Sequence, residues 1–96
     1  MYARTYTQRV EVDWDPDKAD ANGRKHRVSF ADAAIALEDP NALTIRDDHA
    51  GELRYVTLGL DAEARLLVVV YTMRSQRVRL ISARRATAAE RRQYAE

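Results

Sequence analysis

Seven of the 14 arginines lie between Arg74 and Arg92, where Glu90 is the only acidic residue. Within this stretch, Arg77-Val78-Arg79-Leu80-Ile81-Ser82-Ala83-Arg84 alternates with period two, so a strand here would carry Arg77, Arg79, Ile81 and Ala83 on one face, with Arg79 in its middle. A guanidinium grips phosphate through forked hydrogen bonds, and Arg84 and Arg85 at the strand exit precede a capped helix start at Thr87 that also favours anions. The competing reading is a structural arginine, salt-bridged to Glu52 or to a helix carboxylate. A second cluster, Glu52-Leu53-Arg54-Tyr55, sets an acid and a base beside an aromatic. Glu52 has the chemistry of a general base, Arg54 of a transition-state clamp and Tyr55 of a stacking platform, although an edge ion pair beside a half-buried tyrosine accounts for the same residues.

Lys25-His26 ends a predicted helix, where cations suit the helix dipole and a histidine titrates near neutrality. Proton exchange at His26 and phosphate binding at Lys25 are the functional reading of that pair. His49, in Asp47-Asp48-His49-Ala50-Gly51-Glu52, has no second histidine at ligand spacing and reads as part of a β-turn. Trp14 reads as core, and Tyr94 as either core or site.

These side chains need elements to position them. Val10, Val12 and Trp14 alternate as on a half-buried first strand after a short tail, Met1 to Gln8. Asp15-Pro16 is an N-cap followed by proline at the first helical position, which predicts a helix to about His26 with Gly23 as its weak point. Ser29-Phe30-Ala31-Asp32 has capping-box character with Asp in place of Glu. Phe30, Ala33, Ala34 and Leu37 form its apolar stripe, and this second helix should end near Asp39-Pro40. Short β segments follow at 43–46, 53–60, 65–73 and 77–82, an antiparallel meander whose member Leu66 to Tyr71 is apolar at successive positions, as expected of a central strand covered on both faces. Thr87-Ala88-Ala89-Glu90 is a complete capping box for a C-terminal helix carrying Tyr94. The expectation is an α+β fold, with a small antiparallel sheet of about four to five strands, two N-terminal helices and one C-terminal helix, in a single domain over residues 9–96.

Composition restricts the function classes. Ninety-six residues suffice for one core, and 46% hydrophobic with 32% charged residues describes an ordinary globular chain. The absence of cysteine excludes disulfides, thiolate zinc sites and a cysteine nucleophile, and two isolated histidines argue against a histidine metal site, so no cofactor is expected. No membrane segment or secretory h-region is present, and the expected address is cytoplasmic. The net charge of +1 conceals an asymmetry: residues 1–48 hold 7 basic and 10 acidic side chains, residues 49–96 hold 9 and 5. An anion-binding face in the second half follows, unless the arginines reflect coding composition alone.

The ordered set Trp14-Asp15-Pro16, Lys18, Asn22, Arg24-Lys25-His26, Val28-Ser29-Phe30, Asp39-Pro40, Gly51-Glu52-Leu53-Arg54-Tyr55, Gly59, Ile81-Ser82-Ala83-Arg84 and Glu90 to Tyr94 resembles BrnT-type toxins. The resemblance runs from about Val10 to Tyr94 and places the chain among the RelE/ParE-like toxins of type II toxin-antitoxin systems. It implies a RelE-like α/β domain and a ribonuclease that stops translation. It also implies a BrnA-type antitoxin in a 2:2 heterotetramer, with operator DNA bound through the antitoxin only. It nominates Lys25, His26, Glu52, Arg54 and Arg79 as catalytic, with Arg84 and Tyr94 binding substrate. Metal-free RNA cleavage needs a base for the 2′-hydroxyl, an acid for the departing 5′-oxygen and positive charge on the phosphorane, and this set contains each type. One departure is Lys25-His26-Arg27 where such sequences read Lys-His-Gly: either Arg27 adopts the left-handed helix end, or the helix stops at Gly23 and re-aims His26. Two other classes compete: a non-catalytic module binding protein or nucleic acid, and a toxin of this fold acting on a protein such as gyrase.

Overall fold

The computed structural model describes residues 11–96; the expected tail and Val10 lie outside the described residues. The order is β1 (Val12–Asp13), α1 (Pro16–His26), α2 (Phe30–Ala36), β2 (Leu43–His49), β3 (Glu52–Leu60), β4 (Leu66–Arg74), β5 (Arg77–Arg85) and α3 (Ala88–Ala95). The five strands form one sheet in the order β1-β5-β4-β3-β2. The sheet is mixed, not antiparallel as expected, because β1 pairs parallel to β5 through Val12 with Val78 and Asp13 with Arg79. A parallel neighbour cannot be joined by a hairpin, and here the helices and the β2–β5 meander supply the long connection.

Helix starts follow the chemistry of their caps. Asp15 accepts the Asp17 N–H at 2.9 Å with Pro16 at the first turn, and Ser29 accepts the Asp32 N–H at 3.0 Å. The Asp32 carboxylate, one methylene shorter than the Glu of a capping box, does not reach back; it meets Arg65 at 2.9 Å instead. Thr87 and Glu90 complete their box reciprocally. Helix α2 ends at Ala36, before the expected Asp39-Pro40, because the Asp39 carboxylate folds the chain by accepting from Asn41 N at 2.9 Å and from Leu60 N at 2.8 Å. Arg27 resolves the C-terminal question for α1: it takes the left-handed conformation (φ 60°, ψ 32°), its N–H bonds to Gly23 O at 2.9 Å, and the helix continues through His26.

Two tight hairpins, Ala50-Gly51 (φ 51° and 79°) and Ser75-Gln76 (φ 49° and 70°), have the two positive φ values that match strand twist. The principal core lies between α1, α2 and one sheet face and contains Val28, Phe30, Ala33, Ala36, Leu67, Val69, Val78, Leu80 and Ala83. Gly59 is required there, since a Cβ would collide with the carbonyl oxygen of Ala36. On the other face a smaller cluster, Leu66, Val68 and Ala86, is covered by Tyr94. The central strand is thus buried from both sides over Leu66 to Val69, as its continuous apolar run predicts.

One irregularity changes which side chains share a face. Val70 pairs with Ser82 but Tyr71 pairs with Leu80, so Ile81 is an extra, unpaired residue in β5. This bulge reverses the alternation beyond it. Ala83 therefore joins Val78 and Leu80 in the core, contrary to the expectation that it shares the face of Arg79, and by the same parity Arg84 moves to the Arg79 face.

Candidate active site

The sheet face opposite α1 and α2 carries charge at one end. Strand register aligns Asp47 with Arg54 and Thr72 with Arg79 and Asp13, so these residues form a charged rung across the sheet. The next rung contains His49 opposite Glu52 and Arg74 opposite Arg77. A small cavity of about 80 Å³ opens among Lys18, Glu52, Arg54, Thr72, Arg74 and Arg79, walled by Leu80 and Ile81. At ~30 Å³ per liquid water, it has room for roughly two or three waters, the scale of one phosphoryl group rather than a base. Its lining holds four cations and one carboxylate, a balance of charge that favours an anion.

Three elements and one helix hold these groups. Arg54 donates Nε–H to Glu52 Oε1 at 3.0 Å, which orients both side chains on β3. Arg79 donates to Asp13 Oδ1 at 3.2 Å, and with 39% of its side chain exposed it keeps donors free for a ligand. Its partner is therefore on β1, and neither Glu52 nor a helix carboxylate fills that role. Lys18 reaches the cavity from the first turn of α1, because β1 is only two residues long and leaves the outer edge of β5 open beyond Arg79. Asn22 closes that edge in place of a strand: its amide accepts the Ala83 N–H at 3.0 Å and donates to Ala83 O at 2.9 Å and Val28 O at 3.0 Å. This buried amide fixes α1 against β5 and with it the position of Lys18.

Of the nominated residues, Glu52, Arg54 and Arg79 converge. Lys25 and His26 do not line the cavity; they lie in the last turn of α1, and at 1.5 Å per residue His26 is ~12 Å along the axis from Lys18. Arg84 is tied to Glu90 by two hydrogen bonds of 2.8 and 2.9 Å, and this ion pair, with the Thr87 N–H, pulls the Glu90 carboxyl down to about 2. Burial, reinforced by Asp39, pushes the Tyr94 phenol up to about 12, and its hydroxyl donates to the Asp39 carboxylate. Tyr55 lies on the opposite face, stacked on Tyr71 with ring centroids 5.7 Å apart. Sequence reasoning did not nominate Lys18, Thr72 and Arg74, which come together only through register and the shortness of β1, and treated His49 as a turn residue although it lies opposite Glu52. A larger, open groove of about 680 Å³ runs past Trp14, Gly23, Arg24, Arg27 and Phe30, with an apolar floor; Trp14 packs edge-on against Phe30 at 5.9 Å. The groove is bigger than the charged cavity but gathers none of the nominated acid-base groups. Among the described residues no cluster of three or more metal-binding side chains occurs, and no helix is long and apolar enough to cross a membrane.

A small α+β domain with a cation-lined cavity on its sheet is the frame of this site. Residues 14–90 match the family described as "Ribonuclease toxin, BrnT, of type II toxin-antitoxin system", and the chain belongs to that family. Membership implies a protein antitoxin as partner. The fold is similar to that of the Brucella abortus ribonuclease toxin BrnT, whose crystal structure was determined at 1.1 Å, with a TM-score of 0.65 and 23% identity over 82% of this chain and 99% of that one. No curated protein matches the chain.

Proposed function

We propose that this chain is a metal-independent endoribonuclease that arrests translation by cutting RNA in the cytoplasm. The observation that carries the reading is the cavity in which Lys18, Arg54, Arg74 and Arg79 surround Glu52. A scissile phosphate in that cavity would have its developing charge met by Arg79, Lys18 and Arg74, while a single carboxylate among four cations is a poor seat for a divalent ion. Glu52, oriented by Arg54, takes the proton of the 2′-hydroxyl as that oxygen attacks phosphorus; the P–O5′ bond then breaks, leaving a 2′,3′-cyclic phosphate and a 5′-hydroxyl end. Protonation of the departing 5′-oxygen falls to a histidine. His49 lies across the hairpin from Glu52, and His26 ends α1, so the two single alanine substitutions assign the role. Lys25 lies outside the cavity and is proposed to contact RNA flanking the scissile bond, whereas Arg84 and Tyr94, engaged by Glu90 and Asp39, are proposed to act through the fold at the α3 end of the sheet.

The partner is proposed to be a BrnA-type antitoxin in a 2:2 assembly that carries the operator-binding element. The test is cleavage of cellular RNA by the purified chain in excess EDTA, with the new 5′ ends mapped. Activity in EDTA giving 5′-hydroxyl ends, abolished by Glu52→Gln in a chain of unchanged melting temperature, supports the reading. Full activity of Glu52→Gln, or dependence on an added metal, overturns it.

A further inference from the structure

The face that carries the cavity changes character halfway along its strands. Past the charged rungs come Ile45, Val56 and Val70, then Leu43, Leu58 and Val68, two successive aliphatic rungs. Only the far corner is covered, by Tyr94 over Leu66, Val68 and Ala86. Ile45 is 65% exposed and Leu43 44%, Val56, Leu58 and Val70 are half-buried, and no strand pairs with the outer edge of β2 among the described residues. A contiguous aliphatic surface beside a cationic cavity marks an interaction site.

The chemistry of this surface selects its occupant. Unpaired RNA bases stack on aromatic rings or arginine planes, and these two rungs hold neither aromatics nor, apart from Arg84 held by Glu90, an arginine; the stacked Tyr55 and Tyr71 are on the opposite face. A second copy of this chain packed face to face about a two-fold axis along the strands would bring Arg54, Arg74 and Arg79 against or near their own counterparts. What fits is a peptide that is aliphatic along one stretch and acidic at the next. We infer that the antitoxin docks here as an amphipathic helix running along the strands, with its apolar side chains over Leu43, Ile45, Val56, Leu58 and Val70 and an acidic side chain in the cavity. Successive same-face rungs are ~7 Å apart, close to the ~6 Å between helix positions i and i+4, so an acid one turn beyond the last apolar contact falls over the Arg54–Arg79 rung. This docking rests on the reading of the cavity as the phosphate site: the antitoxin neutralises the toxin by occupying it.

The experiment uses the chain and the antitoxin of its own system, co-expressed and purified as the complex. Ile45→Lys and Leu43→Lys change exposed positions remote from the proposed acid-base groups, and melting temperatures verify the fold. The expected result is antitoxin affinity reduced about tenfold or more in each variant, RNA cleavage by the free variants equal to wild type, and methyl resonances of Ile45, Val56 and Val70 shifted on complex formation. Unchanged affinity with the footprint on the Trp14–Phe30 groove overturns the inference, as does impaired RNA cleavage with intact antitoxin binding, which would make this an RNA surface. If wild-type chain cuts no RNA yet Ile45→Lys still weakens the antitoxin, the docking surface stands and the ribonuclease reading fails.

Discussion

Arg79 and Arg84 occupy the same strand and, because of the bulge at Ile81, the same face, yet they are held in opposite ways. Arg84 is engaged by a fork of two bonds to Glu90, whose capping role at α3 is part of the same network. Arg79 makes one longer bond to Asp13 and opens onto a cavity with three other cations. A bidentate partner consumes the donors a phosphate would need, so the comparison separates a structural arginine from one available to a ligand. The same contrast holds between the ends of the sheet: the α3 end closes its charges through Asp39, Glu90 and Tyr94, while the hairpin end leaves cations in excess.

The strongest way to break this comparison is to exchange the two losses. Arg79→Ala is expected to lower RNA cleavage by about 10²–10³-fold, the effect of removing one preorganised donor from a developing anion, with little change in melting temperature. Arg84→Ala is expected to do the reverse, and equal losses of cleavage from the two would show that the distinction between them is false. Next in size is Asn22→Ala. It strands Ala83 N–H, Ala83 C=O and Val28 C=O at a buried site, and chemical denaturation should show a loss of ~2–4 kcal/mol. Cleavage should fall as well, since α1 carries Lys18 into the cavity.

Arg84 and Glu90 sharpen the comparison through pH. The folded chain holds the Glu90 carboxyl near 2, below its ordinary 4.5, chiefly through Arg84. The unfolded chain therefore binds a proton first as pH falls, and the contribution is complete above 4.5 and lost progressively toward 2. Glu90→Gln should flatten the acid limb of a stability-against-pH curve, and the exposed side of the pair limits the loss at neutral pH to about 1 kcal/mol. Asp39, where burial raises the pKa but bonds from Tyr94, Leu60 and Asn41 lower it more, retains its own part of that limb in the variant. An unaltered acid limb in Glu90→Gln would mean the fork at Arg84 is not structural.

Alternation and capping residues made most elements legible, because β3 to β5 and the starts of all three helices rest on local chemistry. The parallel β1 was not legible: two residues carry no signal of direction, and Val12 fits either pairing. The bulge was also hidden, since no glycine marks it and Leu80, Ile81 and Ser82 suit either face. For the candidate site, residue type left Glu52, Arg54 and Arg79 open between a site and structural ion pairs, and the family resemblance nominated them together with Lys25, His26, Arg84 and Tyr94. Lys18, Thr72 and Arg74 needed register, and the separation of Lys25 and His26 from the cavity needed the direction of α1 along β5.

The smallest expected effect concerns Arg27, the left-handed residue that ends α1. It holds φ 60° and ψ 32°, a conformation glycine adopts without steric cost and an arginine adopts at a penalty. Arg27→Gly relieves that penalty in the folded chain but also loosens the unfolded one, so the net gain is held to about 0.5–1 kcal/mol. The N–H of residue 27 still bonds Gly23 O, so α1 should keep its end and His26 its place. A thermal melt that rises by a few degrees with unchanged cleavage is the expected outcome. A fall in cleavage at higher stability would instead make the Arg27 guanidinium an RNA contact at the rim of the Trp14–Phe30 groove, which it lines. The phosphate-binding surface would then extend beyond the cavity, and the division drawn between Arg79 and the remaining arginines would have to admit a third member.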